Sequence, residues 1–374
     1  MGTTYYKEKR VLFVAHWYPN EVDHYKGIFI ENHAKCLAAI TDLTVIAFDI
    51  RPSQKVFRHS STIEKNNTFN EIRITLESRF YKLLYYCIFF QVWYLRYVLR
   101  KYDLKTSNFD LVISNVLFPS GIVAWKIAKA WKLKLIHIEH WSYFRTFLEE
   151  DIHRFKAKRM LSYVERMIVV SEVLKDMVKN YYPEEKIDVV PNVVDPPFGY
   201  KEKEPSETRR FLAISNWQKP KNPFPFLEAL EKLSKDYTLK LTIVGKGPIL
   251  EEVKRRNWSF EIEFPGSIRH EELGSYFHQA DFFLHGSDYE TFSIVGVESL
   301  ITGTPVIANS VGILPEVINS QNGILCDNNN EEWYGSILKA LCRSFDNQSI
   351  SKNIEDLFSF NSVQIKLLRI INSI

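Results

Sequence analysis

Between Asp281 and Ile318 the chain reads DFFLHGSDYETFSIVGVESLITGTPVIANSVGILPEVI, and this segment leaves few folds open. DFFLH is a short apolar run closed by a polar Gly-Ser-Asp loop, which predicts a buried strand. FSIVGVESLIT carries apolar residues at helical intervals and stops at Gly303, with Pro305 just beyond, so it predicts a helix. TPVIA is the next buried strand. Strands that are apolar throughout need cover on both faces, and alternation with helices supplies it through a parallel sheet.

The same alternation runs through both halves of the chain. RVLFVAH, LTVIAF, LVISN, KLIHIEH and RMIVVS read as strands of the first half, and IENHAKCLAAI and SGIVAWKIAKAWK as helices between them. The pattern restarts at FLAISNW and continues through the helix FPFLEALEKLSKD, the strand LTIVG, the helix ILEEVKRR and the strand IEFPG. Between the halves, DPPFGYKEKEPSETRR is proline-rich, charged and without periodicity. It predicts a linker over 196–207 that joins an α/β domain over 1–195 to a second over 208–357. Residues 358–374 read as an amphipathic helix. Doubly wound domains of this kind hold ligands at the carboxyl ends of their strands.

Composition excludes several classes. With 374 residues, 45% hydrophobic and 25% charged, the chain is long enough for two cores and is neither disordered nor fibrous. A net charge of +3 gives no argument for nucleic acid as a partner. Cys36, Cys87, Cys326 and Cys342 are scattered, which suits a reducing compartment without structural zinc. The opening MGTTYYKEKRVLFVAHW puts its basic residues before a strand-like run instead of a signal-peptide core, and no run reaches the roughly 18 apolar residues of a membrane span. The expectation is a cytoplasmic protein.

Candidate chemistry gathers around the opening segment. Glu290 falls in the loop leaving a strand and Glu298 about one turn into the next helix. Between them, Phe292, Ser293 and Ile294 offer backbone amides at the positive end of a helix dipole, a natural anion site. Two carboxylates for hydroxyls and amides for phosphate make a receptor suited to a nucleotide sugar. The alternative is an ordinary strand–helix–strand unit with two surface glutamates.

The spacing of Glu290, Phe292, Ser293, Ile294, Glu298, Gly303, Pro305, Val306, Ile307, Ala308, Gly312 and Glu316 resembles the donor-binding signature of retaining glycosyltransferases, especially glycosyltransferase family 4. The resemblance implies the GT-B fold, with two doubly wound Rossmann-like domains facing across a cleft and the segment 358–374 returning to the first. It implies that Glu290 binds the donor sugar, that Glu298 takes the ribose hydroxyls, and that His140, at the end of KLIHIEH, holds the sugar from the first domain. Gly27 stands where the family has its first glycine loop, although a plain turn glycine reads the same. Lys221 matches a family lysine that grips the donor diphosphate. Asn216 takes the place of a family arginine, and losing one charge-assisted contact costs roughly 1.5–3 kcal/mol if nothing replaces it.

The family's reaction retains anomeric configuration, needs no metal and uses no cofactor beyond the nucleotide sugar, uridine- or guanosine-linked. No Asp-x-Asp pair occurs here to hold a divalent ion. The implied acceptor is a glycan or a lipid-linked intermediate of cell-surface polysaccharide. The competing readings are a non-catalytic nucleotide-sugar-binding subunit, which Asn216 keeps open, and another GT-B enzyme such as a nucleotide-sugar epimerase. Gly245-Lys246-Gly247 lacks the third glycine of a dinucleotide fingerprint, since that place holds Leu250.

Residues 80–102, FYKLLYYCIFFQVWYLRYVLRKY, combine aromatics with Lys82, Arg96, Arg100 and Lys101. They read either as a long helix buried against the first sheet or as an interfacial helix on an anionic membrane, peripheral on its inner face.

Overall fold

The structure is a computed structural model that describes residues 9–374 except 24–25, 66–67 and 142–143. The opening segment 1–8, on which the reading of a leader partly rests, lies outside the described residues. The chain divides into two units, Met1–Val193 with Phe360–Ile374, and Val194–Ser359.

The first unit is built on an eight-stranded sheet. Its strands are β1 (Arg10–Ala15), β2 (Asp42–Pro52), β3 (Arg58–Lys65), β4 (Asn70–Ser78), β5 (Leu111–Asn115), β6 (Lys134–Glu139), β7 (Arg166–Val169) and β8 (Ile187–Val189). Their order is β3-β4-β2-β1-β5-β6-β7-β8, and every pairing is parallel except β3 with β4. Central β1 buries all of Val11 to Ala15, as a strand covered on both faces must. Val363, Leu367 and Ile371 of the terminal helix Phe360–Asn372 join Ile30, Ala34 and Leu37 of the helix Ile28–Ile40 in the core on one side of this sheet.

The second unit holds six parallel strands in the order β11-β10-β9-β12-β13-β14. They are β9 (Arg209–Asn216), β10 (Leu239–Lys246), β11 (Glu261–Gly266), β12 (Phe282–His285), β13 (Val306–Asn309) and β14 (Gly323–Cys326). The helices Phe224–Leu233 and Asn330–Leu341 pack over it, with Trp333 and Phe226 fully buried and their rings 5.4 Å apart.

Three expectations are corrected. Residues 196–207 are not a free linker: the Phe198 ring lies 5.8 Å from that of Phe277, and Lys203 donates to Thr304 Oγ1 at 2.8 Å, so this stretch belongs to the second unit. The terminal boundary falls at Phe360, because Asn347–Phe358 is a separate helix of the second unit. The segment 80–102 is two helices, Tyr81–Tyr86 and Ile88–Lys101, broken at Cys87. Gln91 Nε2 satisfies carbonyls freed at the break, donating to Leu84 at 2.7 Å and Tyr85 at 2.8 Å. The second helix buries Val92, Leu95, Val98 and Leu99 and leaves Phe89, Trp93 and Tyr97 exposed. Among the described residues no helix is long and apolar enough to cross a membrane.

Candidate active site

In the second sheet the strand order reverses between β9 and β12, the topological switch at which a doubly wound sheet places its ligand crevice, at the carboxyl ends of the strands. Lys221 follows β9 and Glu290 follows β12. Backbone bonds hold the two loops together: Asn222 N donates to Gly286 O at 3.1 Å, and Asp288 N to Pro220 O at 3.0 Å. Lys221 Nζ and Glu290 Oε1 meet across them as an ion pair, each side chain 18% exposed. Burial pulls the Lys221 ammonium down to about 8, while the Glu290 carboxylate beside it favours the charged form. His285, the last residue of β12, lies 3.4 Å from the same carboxylate oxygen. Burial first, and the Lys221 charge second, lower its pKa to about 3, so it is a neutral hydrogen-bonding group.

The loop then enters the helix Ile294–Ile301 through Ser293, whose φ of 82° is left-handed and uncommon for serine. The backbone N–H groups of Phe292, Ser293 and Ile294 have no hydrogen-bond partner among the described residues. Ser293 Oγ, His285 Nδ1 and Asn309 Nδ2 are buried and also without partners. A buried polar group left unmade is costly, and several at one helix N-terminus suit an anionic, hydroxyl-bearing ligand. Gly312 supports this loop from behind. Its φ is +59°, and a Cβ there would stand 2.5 Å from Phe292 O, while Ile313 N donates to that same oxygen at 2.8 Å.

Glu298 is buried on the helix, and its Oε1 lies 2.6 Å from His270 Nε2. Asn216 ends β9 exposed, with its carbonyl taken by Gln218 N at 2.8 Å, and neighbouring Lys219 is exposed as well. Among the described residues no three metal-ligating side chains gather.

In the first unit the order reverses between β1 and β5. Gly27 follows β1 and starts the helix Ile28–Ile40 at φ 67°; a Cβ would stand 2.5 Å from Trp17 O. His140, just past β6, is buried. Its Nδ1 lies 3.0 Å from Asn192 Oδ1 and its Nε2 3.3 Å from Asn115 Oδ1. Burial, reinforced by the neighbouring His33, lowers its pKa well below the usual imidazole range, so the neutral ring has one N–H to donate to one of these two oxygens. Beneath it Glu139 is fully buried. Oε1 accepts from His140 N at 2.9 Å and Trp141 N at 2.8 Å, and Oε2 accepts from Leu117 N at 2.9 Å.

Sequence reasoning did not single out His270, His285, Asn309 or Glu139. Of the three strand residues, His285 and Glu139 carried a signal, since a histidine and a carboxylate inside otherwise apolar strands need a buried partner. His270 had none, because it lies outside any apolar pattern.

Two family models tile most of the chain. Glycosyltransferase Family 4 matches residues 27–198, and Glycosyl transferases group 1 matches residues 199–356. The chain belongs to glycosyltransferase family 4. A relative in Streptococcus pneumoniae, alpha-monoglucosyldiacylglycerol synthase, is 26% identical over 276 residues, covering 65% of this chain and 61% of the relative's length. Sucrose-phosphate synthase from Thermosynechococcus elongatus superposes with a TM-score of 0.78 at 18% identity, over 98% of this chain and 99% of that one. Anabaena Alr3699/HepE, solved with UDP and glucose, gives 0.69 at 14% identity over 98% and 100%. At such identities the structural likeness establishes the fold, which is GT-B, and the chain's match spans about three fifths of the pneumococcal relative's length.

Proposed function

We propose that this family 4 enzyme transfers a sugar from a nucleotide-sugar donor, uridine- or guanosine-linked, to a lipid-linked or polysaccharide acceptor, with retention and without a metal. The observation that supports the donor half is the Lys221–Glu290 ion pair in the second unit, followed by a helix N-terminus where the amides of residues 292–294 and buried Ser293 Oγ, with His285 Nδ1 and Asn309 Nδ2 at nearby strand ends, have no partner among the described residues. The Anabaena protein was solved in complex with UDP and with UDP-glucose, which supports a donor of this class. The pneumococcal relative's name denotes a glucosylated diacylglycerol, which supports a lipid acceptor.

In this reading the diphosphate draws Lys221 away from Glu290 and seats against the helix amides. Glu290, relieved of the cation, accepts hydrogen bonds from sugar hydroxyls, and Glu298 accepts from the ribose. The acceptor oxygen bonds to the anomeric carbon on the face the leaving phosphate departs from, and a phosphate oxygen takes the acceptor proton. Charge developing on the leaving group meets donors already in place, the usual source of the largest catalytic term. His140 would contribute through Nε2, whose contact with Asn115 is the longer of its two.

Thermal-shift titration with a panel of nucleotide sugars tests the proposal, with Glu298→Ala beside wild type and donor hydrolysis followed in parallel. One base should raise the melting temperature, the mutant should lose that rise, and the same donor should be slowly hydrolysed. A stabilised wild type without hydrolysis would favour the non-catalytic subunit. No stabilisation by any uridine or guanosine donor would overturn the donor site.

A further inference from the structure

The first unit contains a cavity of about 920 Å³ bounded by the helices Tyr81–Tyr86, Ile88–Lys101, Ile122–Trp131 and Asp151–Leu161. Its volume falls within the range of sites that take a whole small molecule. The inner wall is apolar: Val92, Phe118, Ile122 and Trp125 are all buried. Leu83, Tyr86, Phe89, Ile152 and Phe155 also line it, yet each is more than half exposed, Phe89 at 79%. An apolar patch of this kind, continuous with an apolar cavity, marks a binding face.

The charges around it have one sign. Arg96, Lys126, Lys129, Lys156 and Arg159 line the cavity, and among the described residues no carboxylate does. Among the described residues none of these five cations forms an ion pair. Three of them rest on aromatic rings: Lys126 Nζ is 5.0 Å from the Phe89 ring, Lys129 Nζ 5.8 Å from the Trp125 ring and Arg159 5.7 Å from the Phe155 ring. The indole N–H of Trp125 is buried without a partner among the described residues. The cavity wall also leads toward the carboxyl edge of the sheet. Phe118 follows β5 and stacks on Phe147 at 5.3 Å, and Phe147 meets Trp141, the residue after His140, at 5.3 Å.

A hydrocarbon chamber with an unpaired cationic rim complements a single kind of ligand, an amphiphile with an anionic head. We propose that this cavity takes the hydrocarbon chain of an acidic phospholipid or lipid phosphate, with Lys126, Lys129, Lys156 and Arg159 on the head group. The site deepens the acceptor half of the proposed function and rests on that reading only for the lipid's being the acceptor. Binding itself is measured without donor, so its failure leaves the donor crevice untouched.

The test is calorimetric titration of the full chain with dihexanoyl phosphatidic acid kept below its micelle concentration, beside dihexanoyl phosphatidylcholine and inorganic phosphate. Variants are Lys126→Glu with Lys156→Glu, which changes only the rim, and Ile122→Trp, which fills the chamber. Circular dichroism melts verify folding. The expected result is one saturable site for the acidic lipid, weakened about tenfold or more by the double charge reversal. Phosphatidylcholine and phosphate alone should each bind more weakly by a similar factor, and Ile122→Trp should bind less if it folds. Three results overturn the proposal: no binding of the monomeric acidic lipid, affinity for inorganic phosphate equal to that for the lipid, or sedimentation with acidic vesicles in the absence of monomer binding. The last would make this face a membrane-adsorbing surface without a chain site.

Discussion

His270 Nε2 lies 2.6 Å from Glu298 Oε1, fastening the turn His270–Glu272, which precedes the helix Leu273–Gln279 leading into β12, to the buried carboxylate of the helix Ile294–Ile301. The hydrogen bond to Glu298 raises the histidine pKa above its ordinary 6.5, against the opposing pull of burial. A raised folded-state pKa means that the charged pair stabilises the fold fully below the unfolded value and stops doing so as pH rises through the folded one. The melting temperature of wild type should therefore fall as pH climbs from about 6.5, and His270→Gln should lose that part of the slope. Parallel melting curves for the two proteins between acid and mildly alkaline buffer would show that the pair is not ionic.

Lys221 yields a second pH effect, on binding. Burial brings its ammonium to about 8 in the unliganded protein. Above that value the side chain loses the charge proposed to grip the diphosphate, so donor kcat/KM should decline on the alkaline side with a limb near 8. kcat should decline less, because a bound diphosphate holds the proton on. Lys221→Arg, which stays charged, should shift or remove the limb. An unchanged limb in that variant would assign it to another group.

Much of the fold was legible because strands such as Val11–Ala15 and Phe282–His285 are buried on both faces and read as apolar runs. β4 was overlooked although it buries Ile72, Ile74 and Leu76 in strict alternation, since strands apolar throughout were the pattern sought. β3 is an antiparallel edge strand with no residue buried, so its sequence RHSSTIEK records almost nothing of its pairing. Spacing marked Glu290 and Glu298, and the family resemblance marked Lys221, but neither carried a sign that Lys221 and Glu290 hold each other. That pairing depends on β9 and β12 becoming neighbours, which brings together two residues 69 positions apart in the chain.

Gly312 tests how closely the Glu290 loop is fitted. At φ +59°, with Phe292 O 2.5 Å from where a Cβ would stand, Gly312→Ala must both strain the backbone and push the loop. It should lower the urea midpoint by an amount equivalent to roughly 1–3 kcal/mol and weaken donor binding. Gly335 is the control: it is exposed in the helix Asn330–Leu341 with nothing within 4 Å of its added Cβ. Gly335→Ala should stabilise by about 0.5–1 kcal/mol. Equal effects from the two alanines would mean that the loop gives way freely.

Glu139 supports His140 without facing solvent. Its two oxygens receive the amides of His140, Trp141 and Leu117, and Oε2 also lies 3.2 Å from His137 Nε2, which is linked through Nδ1 to Ser114 Oγ at 2.9 Å. Glutamine keeps the shape but replaces one acceptor oxygen with an amide donor that must confront an N–H. Glu139→Gln should therefore cost about 1–3 kcal/mol of stability, and Glu139→Ala more, because it strands all three amides at once. The two changes should also lower kcat at saturating donor while leaving the donor-induced thermal shift intact, since Glu298 and Lys221 sit on other elements. Asn192→Ala, which releases His140 Nδ1 without touching Glu139, should reproduce the loss of kcat with a smaller loss of stability. A Glu139→Gln protein as stable as wild type, with full kcat, would show that the three amides find other acceptors and that His140 does not depend on this carboxylate.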